Sequence, residues 1–514
     1  MPRPFRPRAA ALTVTALLLS ALLGGCGDES RDEDLTEQRL SWKDCPAPSE
    51  AQGGGDAPSP LPDGDTWQCA TMKAPLDWDK PEGDTIGLAL IRAEADGDAR
   101  ERIGSLVFNF GGPGGSGVTA LPAFGEDYAK LRTRYDLVGF DPRGVGRSAP
   151  VICQTDQQLD AYFQQDATPD DLAERAEYLE GTKEFNEACE ERSERMLPHV
   201  GTADAARDLD LMRHVLGDAK LHYFGISYGT ELGGVYAHLF PGNVGRAVFD
   251  AVVDPTQTPE QGSLGQARGF QRALDNFAED CVSRTEECPV GDSAQDVKDR
   301  IARLLKDLDS RPIPGVFPRE LTQTAATGGI AQALYSKDFW EYLTEGLQQA
   351  YDGDGRILLL LADSLNGRSE NGEYSNLVAA NVAVNCADDR PRYGVGHVEE
   401  RLPAFRAASE VFGDFLAWGM VSCTGWPVTG AAEHPDVSAP GAPPILVIGN
   451  TGDPATPYEG ARKMARALGE GVGVELTYRG QGHGAYDSGN KCVQDAVHGY
   501  LLDGKVPAAG TVCS

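Results

Sequence analysis

The pentapeptide Gly-Ile-Ser-Tyr-Gly at residues 225–229 constrains the fold of this chain more than any other segment. It directly follows an apolar run at 221–226 that predicts a buried strand, and it precedes a helical pattern at 230–239. The flanking glycines allow close backbone approach, and so sharp a turn leaves the serine strained and exposed. The string alone is weak evidence, but its strand–turn–helix setting predicts a nucleophile elbow with Ser227 at its tip.

Other apolar runs, bounded by turn residues and alternating with helical stretches, extend this pattern. Strands are predicted at 86–92, 105–110, 135–140, 221–226, 247–253, 444–449 and 473–478. Between 256 and 439 the pattern is largely helical, with amphipathic examples at 270–277 and 339–351. The pattern predicts an α/β protein with the α/β-hydrolase fold, a mostly parallel sheet flanked by helices. A large, mainly helical lid would be inserted before the last two strands.

The N-terminus predicts export and anchoring. Three arginines precede an apolar stretch at 9–23 that is too short to span a bilayer. The following Leu-Gly-Gly-Cys resembles a lipobox, in which Cys26 receives lipid and becomes the mature N-terminus. In the alternative, an ordinary signal is cleaved and Cys26 is incidental. We expect a secreted protein held on the outer face of the cell membrane by this lipid alone, because no later stretch is long and apolar enough to cross a bilayer.

The same patterns predict how the chain is divided. We expect a signal peptide at 1–25, an acidic tether at 26–40 and a hydrolase core at 41–255 and 440–514, with the lid at 256–439. Of 11 cysteines, ten remain when Cys26 is set aside, an even number suited to disulfides in an oxidising compartment. Their connectivity stays open. Pairing of nearest neighbours would give Cys45–Cys69, Cys153–Cys189, Cys281–Cys288, Cys386–Cys423 and Cys492–Cys513.

Charge and composition narrow the classes of partner. The 46 Lys and Arg residues against 78 Asp and Glu residues give a formal net charge of −32. Such a surface repels phosphate backbones, so nucleic acid is not an expected partner. The negative field mildly favours cationic ligands, including peptides with a free amino terminus, although its main role is solubility. No Cys-x-x-Cys motif or His cluster indicates a metal site, and we expect no cofactor.

A nucleophilic serine needs a base, and the base needs an acid that orients it. In this fold the order along the chain is serine, acid, histidine. His483 lies in a glycine-rich loop after the last predicted strand and is the candidate base. Asp453 follows the preceding strand, in a loop stiffened by two prolines, and is the candidate acid. Asp250 and Asp254, at the end of an earlier strand, are competitors to which capping or turn roles are better suited.

The glycine-rich run at 111–117 follows a predicted strand and offers exposed backbone N–H groups. A phosphate-binding loop is the rival interpretation, and it fails because the Gly-Lys-Ser/Thr ending is missing. We expect the backbone N–H groups of Gly112 and Tyr228 to stabilise the developing oxyanion.

These motifs resemble a known family. Gly-Gly-Pro-Gly-Gly-Ser-Gly at 111–117, Asp-Pro-Arg-Gly-Val-Gly-Arg-Ser at 141–148 and Gly-Ile-Ser-Tyr-Gly-Thr at 225–230 resemble the prolyl and tripeptidyl aminopeptidases. The segments at 385–388, 452–457 and 482–484 are similar to the secreted tripeptidyl aminopeptidases of actinobacteria, including their lipoprotein proteinases. The similarity covers residues 42–513. Prolyl aminopeptidases generally carry His before the Gly-Gly-Pro-Gly run, where this chain has Phe110, which favours the tripeptidyl branch.

The resemblance implies a serine exopeptidase that releases short peptides, with tripeptides as the expected product, from the free N-terminus of peptides through an acyl-enzyme. Such an enzyme must bind the substrate ammonium, for which carboxylates are the natural partners. Residue type and motif placement make Asp388, Asp389 and Glu231 the candidates, with solvated or structural roles as the alternative. Two rival functions remain. One is a carboxylesterase or lipase-like hydrolase on the same triad, and the other is an inactive surface lipoprotein that binds peptides for uptake.

Overall fold

The computed structural model describes residues 34–284 and 288–514, so the predicted signal peptide and Cys26 lie outside the described residues. Twelve strands occur in these ranges. They are β1 (Lys43–Asp44), β2 (Gln68–Pro75), β3 (Thr85–Ala93), β4 (Gly104–Asn109), β5 (Tyr135–Phe140), β6 (Leu221–Ile226), β7 (Val244–Asp250), β8 (Ile313–Pro314), β9 (Glu320–Leu321), β10 (Ile445–Gly452), β11 (Gly473–Gln481) and β12 (Thr511–Cys513).

Ten of these strands form one sheet in the order β1-β2-β3-β5-β4-β6-β7-β10-β11-β12. The pairings of β1 with β2, β2 with β3 and β3 with β5 are antiparallel, and all later pairings in the sheet are parallel. The predicted mostly parallel sheet is therefore confirmed. Its parallel part brings the carboxyl ends of β4, β6, β7, β10 and β11 to one edge, where ligands bind in folds of this class.

Two predictions about strands need correction. β7 spans Val244–Asp250 rather than 247–253, because Ala251 adopts a φ of 53° and ends the extended backbone. Three strands, not two, follow the lid, because β12 pairs in parallel with β11. β12 has three residues, too few for a periodic pattern to predict it.

Sixteen α-helices also occur in the described ranges. They are α1 (Gly117–Ala123), α2 (Ala129–Arg132), α3 (Asp156–Tyr162), α4 (Leu172–Ser193), α5 (Thr202–Val215), α6 (Tyr228–Leu239), α7 (Pro259–Arg284), α8 (Ala294–Ser310), α9 (Gln323–Leu334), α10 (Trp340–Tyr351), α11 (Arg356–Asn366), α12 (Leu377–Asp388), α13 (Val395–Ala408), α14 (Gly413–Gly419), α15 (Glu459–Leu468) and α16 (Lys491–Asp503). None of them is long and apolar enough to cross a membrane.

Both faces of the sheet are covered by helices. Because side chains alternate along a strand, Val107 of β4 packs into one core, while Leu106 and Phe108 pack into the core on the opposite face. The first core receives apolar side chains from α5, α6 and α15, and the second from α1, α2 and α16. Every residue of β4 is buried, which explains its continuous apolar run.

The region between β7 and β10 folds mainly as helices, α7 to α14, with one short hairpin of β8 and β9. Helices α7 to α11 share an apolar cluster of their own, and α7, α13 and α14 share another. In contrast, α12 packs Ala379, Ala383 and Val384 into the core on the sheet. This helix therefore lies at the boundary between sheet and lid.

A segment assigned to the core by sequence also belongs to the lid. Tyr178 and Leu179 of α4 pack against the cluster of α7, α13 and α14, and the Asn186 side chain donates to the backbone carbonyl of Ser422 at 3.0 Å. The predicted division at residue 256 missed this contribution, because α4 is rich in charged residues and carries no clear apolar stripe.

The predicted tether at 26–40 is wrong for its last residues. Leu35 and Leu40 pack against the core of the sheet. The Gln38 side chain donates to the backbone carbonyl of Lys73 at 2.9 Å and accepts from its N–H at 2.8 Å. Leu35, Leu40 and the Gln38 side chain therefore attach residues 34–40 to the folded protein.

All five nearest-neighbour disulfides are present in the described residues: Cys45–Cys69, Cys153–Cys189, Cys281–Cys288, Cys386–Cys423 and Cys492–Cys513. The pair Cys386–Cys423 joins α12 to the turn after α14, and thereby fixes the boundary helix to the lid.

Candidate active site

Ser227 lies between β6 and α6 with φ 58° and ψ −127°, a conformation that few residues other than glycine adopt. Its carbonyl accepts from the N–H of Thr230 at 2.8 Å. A Cβ atom at Gly225 would lie 2.4 Å from the Gly229 carbonyl oxygen, and one at Gly229 would lie 2.5 Å from that of Asn109. The glycines of the motif are therefore required by the close packing of this turn.

Asp453 and His483 meet above the carboxyl ends of β10 and β11. The Asp453 carboxylate is fully buried, and its two oxygens lie 2.9 and 3.1 Å from His483 Nδ1. The same carboxylate accepts from the N–H groups of Ala455 and Thr456, both at 2.9 Å, and from the Thr456 hydroxyl at 3.0 Å. These bonds fix the orientation of the carboxylate and hence of the imidazole.

The electrostatic environment favours a protonated His483. Burial lowers the pKa of the imidazole, but the charge of Asp453 and the hydrogen bond to it outweigh burial, so the pKa is raised above its ordinary value. Because Nδ1 is bonded to Asp453, Nε2 is the nitrogen left to exchange protons.

The lid contacts the loop of the candidate base directly. The backbone N–H of His483 donates to the carbonyl of Tyr335, at the end of α9, at 2.7 Å. The two rings are nearly perpendicular, with centroids 5.1 Å apart. A Cβ atom at Gly482 would lie 2.9 Å from the same carbonyl oxygen. The lid is thus part of the wall of the site.

The competing carboxylates have other partners. Asp250 accepts hydrogen bonds from the backbone N–H groups of Ala251, Ala485 and Tyr486. Asp254 forms an ion pair with Lys463 at 2.7 Å. Neither carboxylate bonds to the imidazole, so the geometry favours Asp453 as the acid.

The glycine-rich loop lies against the elbow. A Cβ atom at Gly111 would lie 2.7 Å from Cβ of Ser227, which only glycine avoids. The next residue, Gly112, has a φ of 111°. The carbonyl of Pro113 accepts from the Asn381 side chain of α12 at 3.0 Å. The backbone of Gly111 therefore lies against Ser227 and the N–H of Tyr228, and Gly112 is the next residue of this loop.

A cavity of about 550 Å³ lies between the sheet and the lid. Its wall includes the three predicted carboxylates Glu231, Asp388 and Asp389 and two amides of α12, Asn381 and Asn385. The rest of the wall is largely apolar and includes Phe163, Tyr178, Val253, Phe415, Leu416 and Met420.

The three carboxylates influence one another. Burial, followed by the charges of Asp388 and Asp389, raises the pKa of Glu231 to about 8. Burial also raises the pKa of Asp388 to about 7 and that of Asp389 to about 6. The charge of Arg392 lowers the pKa of Asp389. The hydrogen bonds of the Arg392 guanidinium, however, go to backbone carbonyls, among them that of Cys386 at 2.7 Å. The negative charge of the cavity therefore increases as pH rises from about 6 to about 8.

Hydrogen bonding distinguishes these carboxylates. Asp388 accepts from the N–H and hydroxyl of Thr202 at 2.8 and 2.6 Å, and the Thr202 hydroxyl also lies 2.6 Å from the Tyr228 hydroxyl. Within the described residues, the carboxylates of Glu231 and Asp389 accept no hydrogen bond. Sequence reasoning missed Thr202, Tyr335 and Asn381, which lie outside every motif that indicated chemistry.

Known proteins resemble this chain over nearly its whole length. The profile of the family described as TAP-like protein matches residues 409–513, the segment that contains Asp453 and His483. The serine protease Hip1 of Mycobacterium tuberculosis is 37% identical over 523 aligned residues, which cover 98% of this chain and 96% of that protein. The tripeptidyl aminopeptidase of Streptomyces lividans is 33% identical over 487 residues, covering 92% of this chain and 86% of the relative. The chain belongs to the TAP-like family of α/β-hydrolases.

This membership confirms the resemblance to tripeptidyl aminopeptidases and identifies the chain as a serine hydrolase. Relatives in the family differ in the substrates that their names state. Carboxylesterase B of Mycobacterium tuberculosis is 38% identical over 467 residues, covering 87% of this chain and 86% of that protein. The names therefore agree on hydrolysis and leave open whether the substrate is an amide or an ester.

Proposed function

We propose that this chain is a secreted exopeptidase that releases tripeptides from the free N-terminus of peptides, with Ser227, His483 and Asp453 as its triad. One observation carries the proposal. Glu231 lies one turn beyond Ser227 on α6, lines the cavity, and accepts no hydrogen bond from the described part of the chain. The Glu231 side chain is only partly buried and has no protein partner among the described residues, so its position one helical turn from the nucleophile favours a cationic ligand in the cavity.

The proposed reaction is the one that a serine, histidine and aspartate triad performs. His483 takes the proton of Ser227 as the serine oxygen attacks the peptide carbonyl. The N–H groups of Gly112 and Tyr228 stabilise the oxyanion, each by about 3 kcal/mol. His483 then protonates the departing amine, and water repeats the sequence on the acyl-enzyme.

The substrate ammonium would bind at Glu231, Asp388 and Asp389, whereas the fourth carboxylate of the cavity wall, Asp254, is paired with Lys463. An ammonium has several N–H donors, whereas Glu231, Asp388 and Asp389 supply only acceptors when ionised. A bound cation also offsets the burial, and the repulsion between carboxylates, that raise the pKa values of Glu231 and Asp388. An N-acetylated peptide brings no such charge, so we expect it to bind poorly.

The length of α12 favours tripeptides. Asn381 holds the glycine-rich loop, and Asp388 lies seven residues further along the same helix. Seven residues of α-helix rise about 10 Å. An extended peptide advances about 3.3 Å per residue, so roughly three residues span this interval.

Export and lipid anchoring through Cys26 are part of the proposal. The five disulfides in the described residues suit an oxidising compartment, and the N-terminal pattern supplies the signal and the lipobox.

The test compares a tripeptide anilide with its N-acetylated form, and with the dipeptide and tetrapeptide anilides. We expect fast turnover of the free tripeptide alone. Equal rates for free and acetylated forms contradict an exopeptidase and favour a general hydrolase. Faster cleavage of an acetylated ester than of the free tripeptide would favour the carboxylesterase function suggested by the name of one relative. Failure of Ser227 to react with a fluorophosphonate would favour an inactive binding protein.

A further inference from the structure

Asp250, the last residue of β7, lies between the nucleophile and the base. Its backbone carbonyl accepts from the N–H of Ser227 at 3.0 Å. The residue is 2% exposed. The backbone of this strand end therefore fixes one side of the strained elbow.

The side chain of the same residue holds the loop that carries His483. Asp250 Oδ2 accepts from the N–H groups of Ala485 and Tyr486 at 3.0 and 2.9 Å, and Oδ1 accepts from the N–H of Ala251 at 2.8 Å. Ala485 and Tyr486 follow His483 by two and three residues. Asp250 thus joins the elbow and the base loop through its own atoms.

The hydrogen-bond partners indicate an ionised carboxylate. All of the recorded partners are N–H groups, which only donate, so they satisfy a carboxylate and offer no acceptor for a carboxyl proton. Burial raises the pKa of Asp250, and the three N–H groups oppose that rise.

We propose that Asp250 is a positioning residue for catalysis: its carboxylate fixes the loop of His483 against the elbow of Ser227, and its charge stabilises the imidazolium formed during attack. The inference rests on the triad proposed above. It assigns Asp250 a role distinct from that of Asp453, which bonds to the imidazole itself.

Other titratable groups lie near Asp250 and His483 and influence their charges. Asp453 approaches from the loop after β10, Tyr335 from the end of α9, and Asp487 from the base loop. The Tyr128 hydroxyl donates to Asp487 at 3.3 Å. Burial and then the charge of Asp250 contribute to a pKa of about 7 for Asp487. Removal of the Asp250 charge should therefore lower the pKa values of both His483 and Asp487.

The test is Asp250→Asn in the full-length enzyme, assayed with the free tripeptide anilide. We expect kcat to fall about 100-fold, because a small displacement of a catalytic group has that effect, with KM unchanged. We also expect the acid limb of the kcat profile to move to lower pH, because the imidazolium loses a stabilising charge. Asp218→Asn is the matched control. Its carboxylate also accepts a backbone N–H, from Ser105 at 3.0 Å, but lies at the amino ends of β4 and β6, so kcat should stay at the wild-type value.

Circular dichroism verifies folding. If Asp250→Asn does not fold, Asp250→Glu replaces it. The longer glutamate side chain retains the charge but places it differently, so kcat should fall while the acid limb stays. Asp487→Asn distinguishes the effect of the Asp250 charge from that of the Asp487 charge. In this variant the acid limb of the kcat profile should stay at the wild-type pH.

Three results overturn the inference. They are wild-type kcat in the Asp250 variant, a loss of kcat in Asp250→Asn with an unmoved acid limb, and an equal shift of the limb in Asp487→Asn. Failure of the triad is recognised separately, because His483→Ala would then retain activity. An inactive His483→Ala enzyme beside a fully active Asp250→Asn enzyme refutes only the role of Asp250.

Discussion

The two ends of the proposed site treat their carboxylates in opposite ways. At the triad, Asp453 accepts from three backbone N–H groups, a hydroxyl and the imidazole, and Asp250 accepts from three backbone N–H groups. At the other end, Glu231 and Asp389 line the cavity and accept no hydrogen bond from the residues described. The carboxylates of the triad are therefore fixed by hydrogen bonds before substrate binds, whereas the cavity carboxylates keep acceptors that are free to bind a ligand.

This difference has a physical meaning. Bonds that already exist in the free enzyme cost no reorganisation during the reaction, which suits a catalytic group. Unpaired carboxylates that are partly buried destabilise the fold, which is tolerated where a ligand supplies the missing charge. The comparison predicts that changes at the triad affect turnover, and that changes at the cavity carboxylates affect recognition and stability.

The largest expected effect is at the nucleophile. Ser227→Ala should reduce kcat by roughly 10⁶-fold, because the acyl-enzyme cannot form. Steady-state hydrolysis of the free tripeptide anilide measures this, with folding verified by circular dichroism. A folded variant that keeps its peptidase activity would refute the triad.

The next largest effect concerns recognition of the amino terminus. Glu231→Gln should lower kcat/KM for the free tripeptide anilide by about 10- to 100-fold, since a hydrogen bond to a charged group contributes about 1.5–3 kcal/mol. The acetylated substrate should be unaffected. Asp414→Asn, which removes a carboxylate paired with Arg406 on the lid surface, is the control. Equal losses of kcat/KM for both substrates would mean that Glu231 stabilises the structure of the site and does not bind the ammonium.

A smaller effect concerns pH. The cavity carboxylates ionise as pH rises, with pKa values of about 6 for Asp389, 7 for Asp388 and 8 for Glu231. KM for the free tripeptide should therefore fall between pH 6 and pH 8, and rise again as the substrate amine loses its proton above about pH 8. The value of kcat should also fall towards low pH as His483 protonates, and its raised pKa moves this fall above the ordinary range of an imidazole. A KM that does not change with pH would contradict the ammonium site.

The smallest expected effect is on stability. Burial raises the pKa of Glu231 from 4.5 to about 8, so the folded state binds the proton more tightly than the unfolded state does. This contribution to stability is present below pH 4.5 and is lost as pH rises to about 8. Glu231→Gln should therefore raise Tm at pH 8 by about 1–3 °C, whereas Asp250→Asn should lower it. Calorimetry measures both, and a lower Tm for Glu231→Gln would show that this carboxylate has a structural partner.

The sequence determined the parts of this protein that depend on neighbours along the chain. Strand periodicity predicted β3 to β6, β10 and β11, and the sheet that they form. The elbow was predictable because a glycine must stand on each side of Ser227 for the strand and helix to meet. The order of serine, acid and histidine along the chain indicated Asp453 and His483, which the structure brings within 2.9 Å.

Contacts between distant segments were decided only by the tertiary structure. The local pattern around Asp250 does not reveal that its carboxylate binds Ala485 and Tyr486, more than 200 residues away. Tyr335 contacts His483 because α9 lies over the sheet, and α4 joins the lid through packing that its charged sequence hides. Side-chain periodicity reports which face of an element is buried, whereas its partner depends on how the elements pack, which no local pattern encodes.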